Sequence, residues 1–202
     1  MPQPSDAKRL IVILSGMSGA GLSTALKIFE DLGYEAVDNL RLSLVPALVD
    51  DGAALGRNLA VAIDTRNANF TVDDLLRVES LLAAKSDIQT RLIFLDCSNE
   101  TLQRRFTETR RRHPLAFDRP VTDGISAERE LLAKLKNEAD LVIDTSETSV
   151  HDLRRLMMGH FRSDRAPSLT IAVTSFSYRQ GVPREADLVF DARFLANPYW
   201  DP

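Results

Sequence analysis

Short apolar runs alternate with amphipathic helical stretches along most of this chain. The runs that indicate strands cover residues 10–14 (LIVIL), 35–37 (EAV), 59–63 (LAVAI), 91–95 (RLIFL) and 141–143 (LVI). Several of them are apolar at consecutive positions, which is typical of strands that helices cover on both faces. Strands that alternate with helices in this way predict βαβ units with a mostly parallel sheet, and therefore an α/β fold.

The stretches between these runs have helical periodicity and recognisable ends. Helices are predicted over residues 23–32, 71–84, 98–112, 126–138 and 149–161. Gly33 suits the position after the first helix, because glycine tolerates a left-handed backbone there. Thr71 and Ser98 are suitable N-caps, and Pro114 stops the helix that begins at Ser98.

The last part of the chain follows a different pattern. Residues 162–167 (RSDRAP) are polar and are predicted to form a linker, and strand-like runs follow at 169–174 and 188–190. A tail of this length is too short for a stable domain of its own, so it either adds strands to the main sheet or begins a second domain. We therefore expect a first domain over residues 1–161 and a linker with a partial C-terminal α/β domain over residues 162–202.

Composition restricts the class of protein. A chain of 202 residues suits one α/β domain with the start of a second, and a formal charge of −4 provides no global positive field for nucleic acid. The single cysteine, Cys97, suits a reducing cytoplasm, and its place after an apolar run predicts a buried structural residue. The N-terminal residues lack the apolar core of a signal peptide, and no run is long enough to cross a bilayer. These features predict a soluble cytoplasmic protein.

The segment between the first predicted strand and the first predicted helix is rich in glycine. It reads GMSGAGLST, close to the Walker A phosphate-loop (P-loop) pattern G-x-x-x-x-G-K-[ST]. Glycines allow the left-handed backbone that lets successive N–H groups converge on an anion, assisted by the helix dipole. The alternative is a glycine-rich turn that binds no ligand. The candidate phosphate-binding residues are Gly16, Met17, Ser18, Gly19, Ala20, Gly21, Leu22, Ser23 and Thr24.

Leu22 occupies the position at which the pattern has lysine. That lysine brings a positive charge to the β- and γ-phosphates, where negative charge builds up during phosphoryl transfer. Lys27 lies about 140° further around the helix and cannot simply take over this role. We expect backbone amides to hold phosphate with weaker affinity, and hydrolysis to be slow or absent. An arginine from elsewhere in the chain is a candidate replacement.

Acidic residues follow three of the predicted strands, at the sheet edge where open parallel sheets bind ligands: Asp64, Asp96 and Asp144. Each could hold Mg²⁺ through water, or could instead cap the next loop. Asp96 follows four apolar residues and best fits a Walker B strand, so Ser23 and Asp96 are the predicted metal ligands and catalytic residues. A second candidate ligand loop, with groups able to bind a base edge or a phosphate, consists of Asp64, Thr65, Arg66 and Asn67.

The helix predicted over residues 98–112 is rich in arginine. Arg104 and Arg105 are expected on a solvated face, paired with neighbouring glutamates. His113 has no partner at metal-ligand spacing. The end of this helix concentrates positive charge that could close over a nucleotide or contact RNA phosphates, in Arg110, Arg111 and Arg112.

Seven segments spread over nearly the whole chain carry a resemblance to a known family. They are GMSGAGLSTAL (16–26), EDLGYEAVDNL (30–40), AIDTRN (62–67), LIFLDC (92–97), ETRRRHPL (108–115), ADLVIDTSE (139–147) and SFSYRQGVPREADLVFDARFLANPYWDP (175–202). In these segments the chain resembles the RapZ/YvcJ family of bacterial nucleotide-binding proteins, whose best-known member is an RNase adapter.

The resemblance implies a kinase-like phosphate-loop fold with ATP at residues 16–23 and GTP at residues 64–67. It also implies ATPase and GTPase activity and, in some members, binding of small regulatory RNA that is delivered to an RNase. Two departures limit the transfer. Leu22 replaces the family's lysine, and family members continue beyond NPYWDP into the rest of a C-terminal domain that carries much of the RNA binding and contributes to self-association.

Three functions fit these residues. The first is a P-loop regulatory protein that binds ATP or GTP with Mg²⁺ and hydrolyses it weakly. The second is a non-catalytic adapter whose nucleotide pocket is vestigial or senses a metabolite, and whose basic helix binds RNA or an RNase. A small-molecule kinase fits the fold but lacks a recognisable acceptor motif.

Overall fold

Strands and helices alternate through most of the molecule. The computed structural model describes residues 8–52, 56–67, 69–161 and 188–191. The strands in this part are β1 (Arg9–Gly16), β2 (Glu35–Asp38), β3 (Leu59–Ala62), β4 (Ile88–Asp96) and β5 (Leu141–Asp144). The helices are α1 (Leu22–Asp31), α2 (Val45–Asp51), α3 (Val72–Ala83), α4 (Asn99–Thr109), α5 (Val121–Glu138) and α6 (Val150–Phe161). A 3₁₀ turn, Leu42–Leu44, leads into α2.

The five strands form one parallel sheet in the order β2-β3-β1-β4-β5. The connection through α1 runs from β1 towards β2, and the connection through α3 runs from β3 across β1 to β4. Because such crossovers are right-handed, two connections in opposite directions place their helices on opposite faces of the sheet. The predicted α/β fold with a parallel sheet is therefore confirmed.

The central strand β1 is buried on both faces. Ile11, Val12, Ile13 and Leu14 are fully inaccessible, which explains the unbroken apolar run in the sequence. The predicted burial of Cys97 is also confirmed. A parallel sheet covered in this way brings the carboxyl ends of its strands, and the loops that follow them, to one edge.

Several elements differ from their predicted bounds. Helix α5 begins at Val121, before the expected start at Ser126, because Pro120 in an extended conformation serves as its N-cap. The short helix α2 was not predicted. Residues 188–191 have no regular secondary structure, and Leu188 and Phe190 are largely exposed, so the strand expected at 188–190 is wrong. The strand expected at 169–174 lies outside the described residues.

Helix α5 lies across the carboxyl ends of the sheet. Its side chains form hydrogen bonds with Ser18 in the loop after β1, with Thr65 in the loop after β3, and with Asp96 at the end of β4. This helix is therefore part of any site at that edge.

The chain divides into two compact units, Met1–Pro167 and Ser168–Pro202. The first contains every strand and helix given above. The domain boundary expected after residue 161 stays a prediction. In the described part of the chain, no helix has the length and apolar character needed to cross a membrane.

Candidate functional site

The glycine-rich segment forms a tight loop between β1 and α1. A Cβ on Gly16 would lie 2.2 Å from the carbonyl oxygen of Leu95 on the neighbouring strand, so only glycine allows this approach of the two backbones. Gly21 is the N-cap of α1 and has a left-handed backbone with φ of 104°. The glycine pattern therefore serves the turn that the sequence predicted.

The backbone amides of this loop fall into two groups. Met17 N–H donates to the carbonyl of Leu95, and Ala20 N–H donates to the carbonyl of Met17. Among the described residues, the amides of Gly21, Leu22 and Ser23 have no hydrogen-bond acceptor. These three N–H groups lie at the N-terminus of a ten-residue helix, where the helix dipole favours an anion.

The carbonyl groups of the loop are held by side chains from distant elements. Arg105 Nη1 donates to the Gly19 carbonyl at 3.0 Å, and Arg105 Nη2 donates to the Thr145 carbonyl at 2.7 Å. Thr145 Oγ1 donates to the Ala20 carbonyl at 2.9 Å. The expectation that Arg105 lies on a solvated face is therefore wrong, because its position on α4 brings the guanidinium onto the loop.

Leu22 belongs to the hydrophobic core. Its side chain is 6% exposed, whereas Ser23 next to it is exposed and Thr24 is partly exposed. The Ser23 hydroxyl is thus accessible to a ligand at the start of α1. The side chain in the lysine position supplies neither a charge nor a hydrogen-bond donor at that point, as the sequence indicated.

A carboxylate that the sequence did not single out contacts the loop directly. Glu128 on α5 is fully inaccessible to solvent. Its Oε2 accepts hydrogen bonds from Ser18 N at 2.9 Å and His113 Nε2 at 3.2 Å. Its Oε1 accepts from Ser18 Oγ at 2.7 Å and Thr65 Oγ1 at 2.6 Å. Glu128 therefore joins three segments that are far apart in the sequence: the glycine loop (residues 16–24), the loop of residues 64–67 (the DTRN loop) and the segment TRRRHP (residues 109–114).

The hydrogen bonds decide the charge state of this cluster. Burial alone raises the pKa of Glu128, but the hydrogen bonds from His113, Thr65 and Ser18 outweigh burial and hold that pKa below its usual value. His113 Nδ1 accepts a hydrogen bond from Leu115 N–H at 3.1 Å, so the proton of a neutral imidazole lies on Nε2 and points at Glu128. The cluster is a buried carboxylate that accepts four hydrogen bonds.

The DTRN loop is folded around its own side chains. Asp64 is buried and accepts hydrogen bonds from the Arg66 amide and guanidinium, with Nη2 at 2.6 Å from Oδ2. Asn67 Nδ2 donates to the Leu40 carbonyl at 2.7 Å, and Thr65 is bonded to Glu128. Arg66, whose side chain is 45% exposed, presents the largest accessible polar group of this loop.

The acidic strand ends lie along one edge of the sheet, as expected. Asp96 and Asp144 are register partners on β4 and β5. Asp96 Oδ1 is 2.8 Å from Arg129 Nη1, and Asp96 Oδ2 is 2.6 Å from Lys136 Nζ. Burial raises the pKa of Asp96, but the hydrogen bonds from Lys136 and Arg129 outweigh burial and lower it overall.

A metal role for Asp96 stays a prediction. Both oxygens of this carboxylate are already paired with a cationic side chain, so a directly bound Mg²⁺ would compete with Arg129 and Lys136. No group of three or more histidine, cysteine, aspartate or glutamate side chains with metal-binding geometry occurs within the described ranges.

The arginines at the end of α4 are exposed. Arg110 ends the helix in a left-handed conformation with φ of 52°, and Arg111 and Arg112 follow it. These three arginines form no ion pair with any described residue. His113, directly after them, is by contrast fully buried. We call residues 110–116 the basic turn. Its first half exposes three arginines, whereas its second half is held in place by the buried His113.

A groove with a volume of about 370 Å³ lies between the 3₁₀ turn and α3. Its polar lining includes Arg41, Ser43, Asn69 and Arg77. The segment that leads into it is tied to the DTRN loop by the bond from Asn67 to the Leu40 carbonyl. The groove therefore adjoins the second candidate ligand loop.

The sequence did contain a signal for Glu128. On α5 the buried side chains include Ile125, Leu132 and Leu135, and Glu128 falls on the same helical face. A carboxylate at a core position is expected only when it is paired, and two of its three partners, Ser18 and Thr65, lie 110 and 63 residues away in the chain.

Two family models match this chain. The RapZ-like N-terminal domain matches residues 10–165, and the RapZ C-terminal domain matches residues 169–202. The chain is 61% identical over 199 residues to a nucleotide-binding protein of Rhodospirillum centenum, covering 98% of this chain and 59% of that protein. It is 52% identical over 201 residues to a nucleotide-binding protein of Paramagnetospirillum magneticum, covering 100% of this chain and 66% of that protein.

The chain thus spans 59% and 66% of the lengths of these two relatives. Among solved structures, shikimate kinase from Acinetobacter baumannii in complex with shikimate has a TM-score of 0.52 at 16% identity, covering 77% of this chain and 93% of that one. At this identity the likeness concerns the fold, which is the α/β fold of P-loop kinases.

Proposed function

This chain belongs to the RapZ-like family, and we propose that it binds a nucleoside triphosphate, with ATP at the loop formed by residues 16–24. The observation that carries the proposal is the row of amides of Gly21, Leu22 and Ser23, which have no acceptor among the described residues. They lie at a helix N-terminus behind a glycine loop, which is the arrangement that binds phosphate in P-loop proteins. The relatives whose names describe nucleotide binding support the same function.

In this proposal the remaining predicted residues have distinct roles. The exposed Ser23 hydroxyl would hold Mg²⁺, and Asp96 would complete the metal site through water. Hydrolysis of ATP or GTP would be weak, because Leu22 leaves the developing charge on the phosphates without its usual cation. The protein would then act as a regulator whose state depends on the bound nucleotide.

Calorimetric titration with ATP and Mg²⁺ tests this proposal, with Leu22→Lys as the informative variant. A restored ammonium would add a charge-assisted contact of about 1.5 kcal/mol or more, and therefore tighten ATP binding by about tenfold or more. Leu81→Lys is the matched control, because Leu81 is an exposed leucine on α3 and its substitution makes the same change in charge. Absence of ATP binding by both the unaltered protein and Leu22→Lys would contradict the proposal.

A second nucleotide, GTP, is part of the same proposal. The side chains of Asp64 and Asn67 are engaged within the protein, so Arg66 and the adjoining groove offer the accessible contacts. Titration of GTP into protein saturated with ATP distinguishes one shared site from two. Binding of GTP that ATP does not displace, and that Arg66→Ala weakens, would support a separate site.

The alternative function is an adapter that binds RNA through the basic turn. The exposed side chains of Arg110, Arg111 and Arg112, which form no ion pair with described residues, support this alternative. RNA retention should weaken steeply with salt, and Arg111→Ala with Arg112→Ala should lower the slope by about one for each lost phosphate contact. Arg104→Ala, exposed on α4, is the control. Retention that is independent of salt would count against this function.

The same proposal includes a cytoplasmic location, an RNase partner and self-association. Cys97 as a free buried thiol fits a reducing compartment.

A further inference from the structure

The phosphate loop and the basic turn are bonded to the same buried carboxylate. We propose that Glu128 is a positioning residue that couples the two, so that a change in the loop at Ser18 alters the stability of the basic turn. The coupling between protein segments stands on geometry alone. Its control by nucleotide rests on the proposed function.

The first step of the argument is the sharing of one oxygen atom. Glu128 Oε2 accepts hydrogen bonds from both Ser18 N and His113 Nε2. The latter, at 3.2 Å, is already at the long end of ordinary hydrogen bonds, so a further outward shift of the carboxylate would break it. Because Glu128 and His113 are both fully buried, water does not readily replace the lost contact.

The second step connects His113 to the basic turn. Its Nδ1 accepts from Leu115 N–H, and its carbonyl accepts from Ala116 N–H at 3.0 Å. Its ring centroid lies 5.0 Å from that of Phe106 on α4. His113 therefore holds the backbone directly after Arg112, and release of its ring would loosen the segment that presents the three exposed arginines.

The consequence is reciprocal. A ligand bound at the loop restrains Ser18 further, and through Glu128 and His113 it stabilises the closed form of the basic turn, in which residues 113–116 keep the hydrogen bonds seen in this structure. An anionic partner that binds the closed form must in turn strengthen ligand binding at the loop by the same factor, because the coupling free energy is common to both sites. The element with two states is the segment of residues 113–116, which is either closed or locally open.

Hydrogen exchange at the amides of Leu115 and Ala116 tests the coupling without any ligand. Ser18→Ala removes the hydroxyl that donates to Glu128 Oε1 and leaves the charge of the carboxylate unchanged. Thr65→Val removes the other hydroxyl that donates to the same oxygen, from a different loop. Each should speed exchange by about fivefold, which corresponds to about 1 kcal/mol for one hydrogen bond. Ser126→Ala, exposed on α5, is the control and should leave the rates unchanged.

A double variant, with Ser18→Ala added to Glu128→Ala, tests whether the effect of Ser18 passes through Glu128. In Glu128→Ala, adding Ser18→Ala should cause no further acceleration at Leu115 and Ala116, because the connection is already absent. If Glu128→Ala does not fold, the Ser18→Ala variant decides the question alone. Unchanged exchange at both amides in Ser18→Ala would overturn the proposal, whatever the result for Thr65→Val.

A second measurement adds ATP and Mg²⁺, with binding followed by calorimetry in the same samples. Exchange at Leu115 and Ala116 should slow by about fivefold or more in the unaltered protein and in Glu130→Gln, an exposed control on α5. Bound ATP that leaves these rates unchanged would overturn nucleotide control. If ATP does not bind, the proposed function fails, while the measurements without ligand still decide the coupling.

Discussion

Replacement of Glu128 should be among the most destabilising single changes at this edge of the sheet. Glu128→Ala removes the acceptor of four hydrogen bonds. The hydroxyls of Ser18 and Thr65 can rotate to other partners, but the Ser18 amide and His113 Nε2–H would remain buried without acceptors. At about 1–3 kcal/mol for each such donor, the free energy of unfolding should fall by about 2–6 kcal/mol.

Glu128→Gln separates charge from hydrogen bonding. The amide oxygen can take the place of Oε2, and the amide nitrogen can donate to the hydroxyls of Ser18 and Thr65, which can reverse their direction. The hydrogen bonds then persist without ionic assistance, and the expected loss is about 1–2 kcal/mol.

The dependence of this loss on pH follows from the lowered pKa of Glu128. A pKa below the usual value of 4.5 means that the folded state favours the ionised carboxylate. The resulting stability is fully present above the unfolded pKa and disappears as the pH falls through the folded pKa. The difference between the unaltered protein and Glu128→Gln should therefore stay constant near neutral pH and shrink at acidic pH.

Urea denaturation followed by circular dichroism, at neutral pH and in a series down to acidic pH, measures these differences. Glu130→Gln on the exposed face of α5 is the control and should change stability by less than about 0.5 kcal/mol. A Glu128→Ala variant as stable as the unaltered protein would refute the reasoning. A Glu128→Gln difference that grows on acidification would refute the argument from the pKa.

Two further substitutions test the surroundings of the cluster. Gly124→Ala would place a Cβ 2.6 Å from His113 Nδ1 and should cost about 1–3 kcal/mol in a thermal melt. The control is Gly159→Ala on α6, whose Cβ meets nothing within 4 Å and which should stabilise by about 0.5–1 kcal/mol; equal effects of the two changes would contradict the packing. Arg105→Ala should weaken ATP binding by about fivefold, since it removes a hydrogen bond from the loop carbonyls, while the exposed neighbour Arg104→Ala should not; equal affinities would argue against that support.

The sheet and the glycine loop could be predicted because both depend on local pattern. Consecutive apolar residues mark β1 wherever its neighbours lie, and the spacing of Gly16, Gly19 and Gly21 marks a turn into a helix. The strand ends at Asp96 and Asp144 follow from the same pattern, since parallel strands end at a common edge.

The roles of Glu128 and Arg105 could not be obtained in this way. Helical periodicity places Glu128 on a buried face but does not identify its partners. Two of those partners, Ser18 and Thr65, come from loops after different strands, and only the strand order shows that they meet. Arg105 likewise has local glutamates as plausible partners, and only the tertiary structure brings it to the carbonyl of Gly19.

The contacts of Arg105 and Thr145 with the loop carbonyls affect how much binding free energy a ligand must spend on ordering the loop. A loop whose curvature is already set by the surrounding protein loses less conformational entropy when an anion arrives, and such preorganisation favours affinity without any new contact. Here α4 and the residue after β5 impose that order in advance, so a leucine in the lysine position is compatible with a working anion cradle.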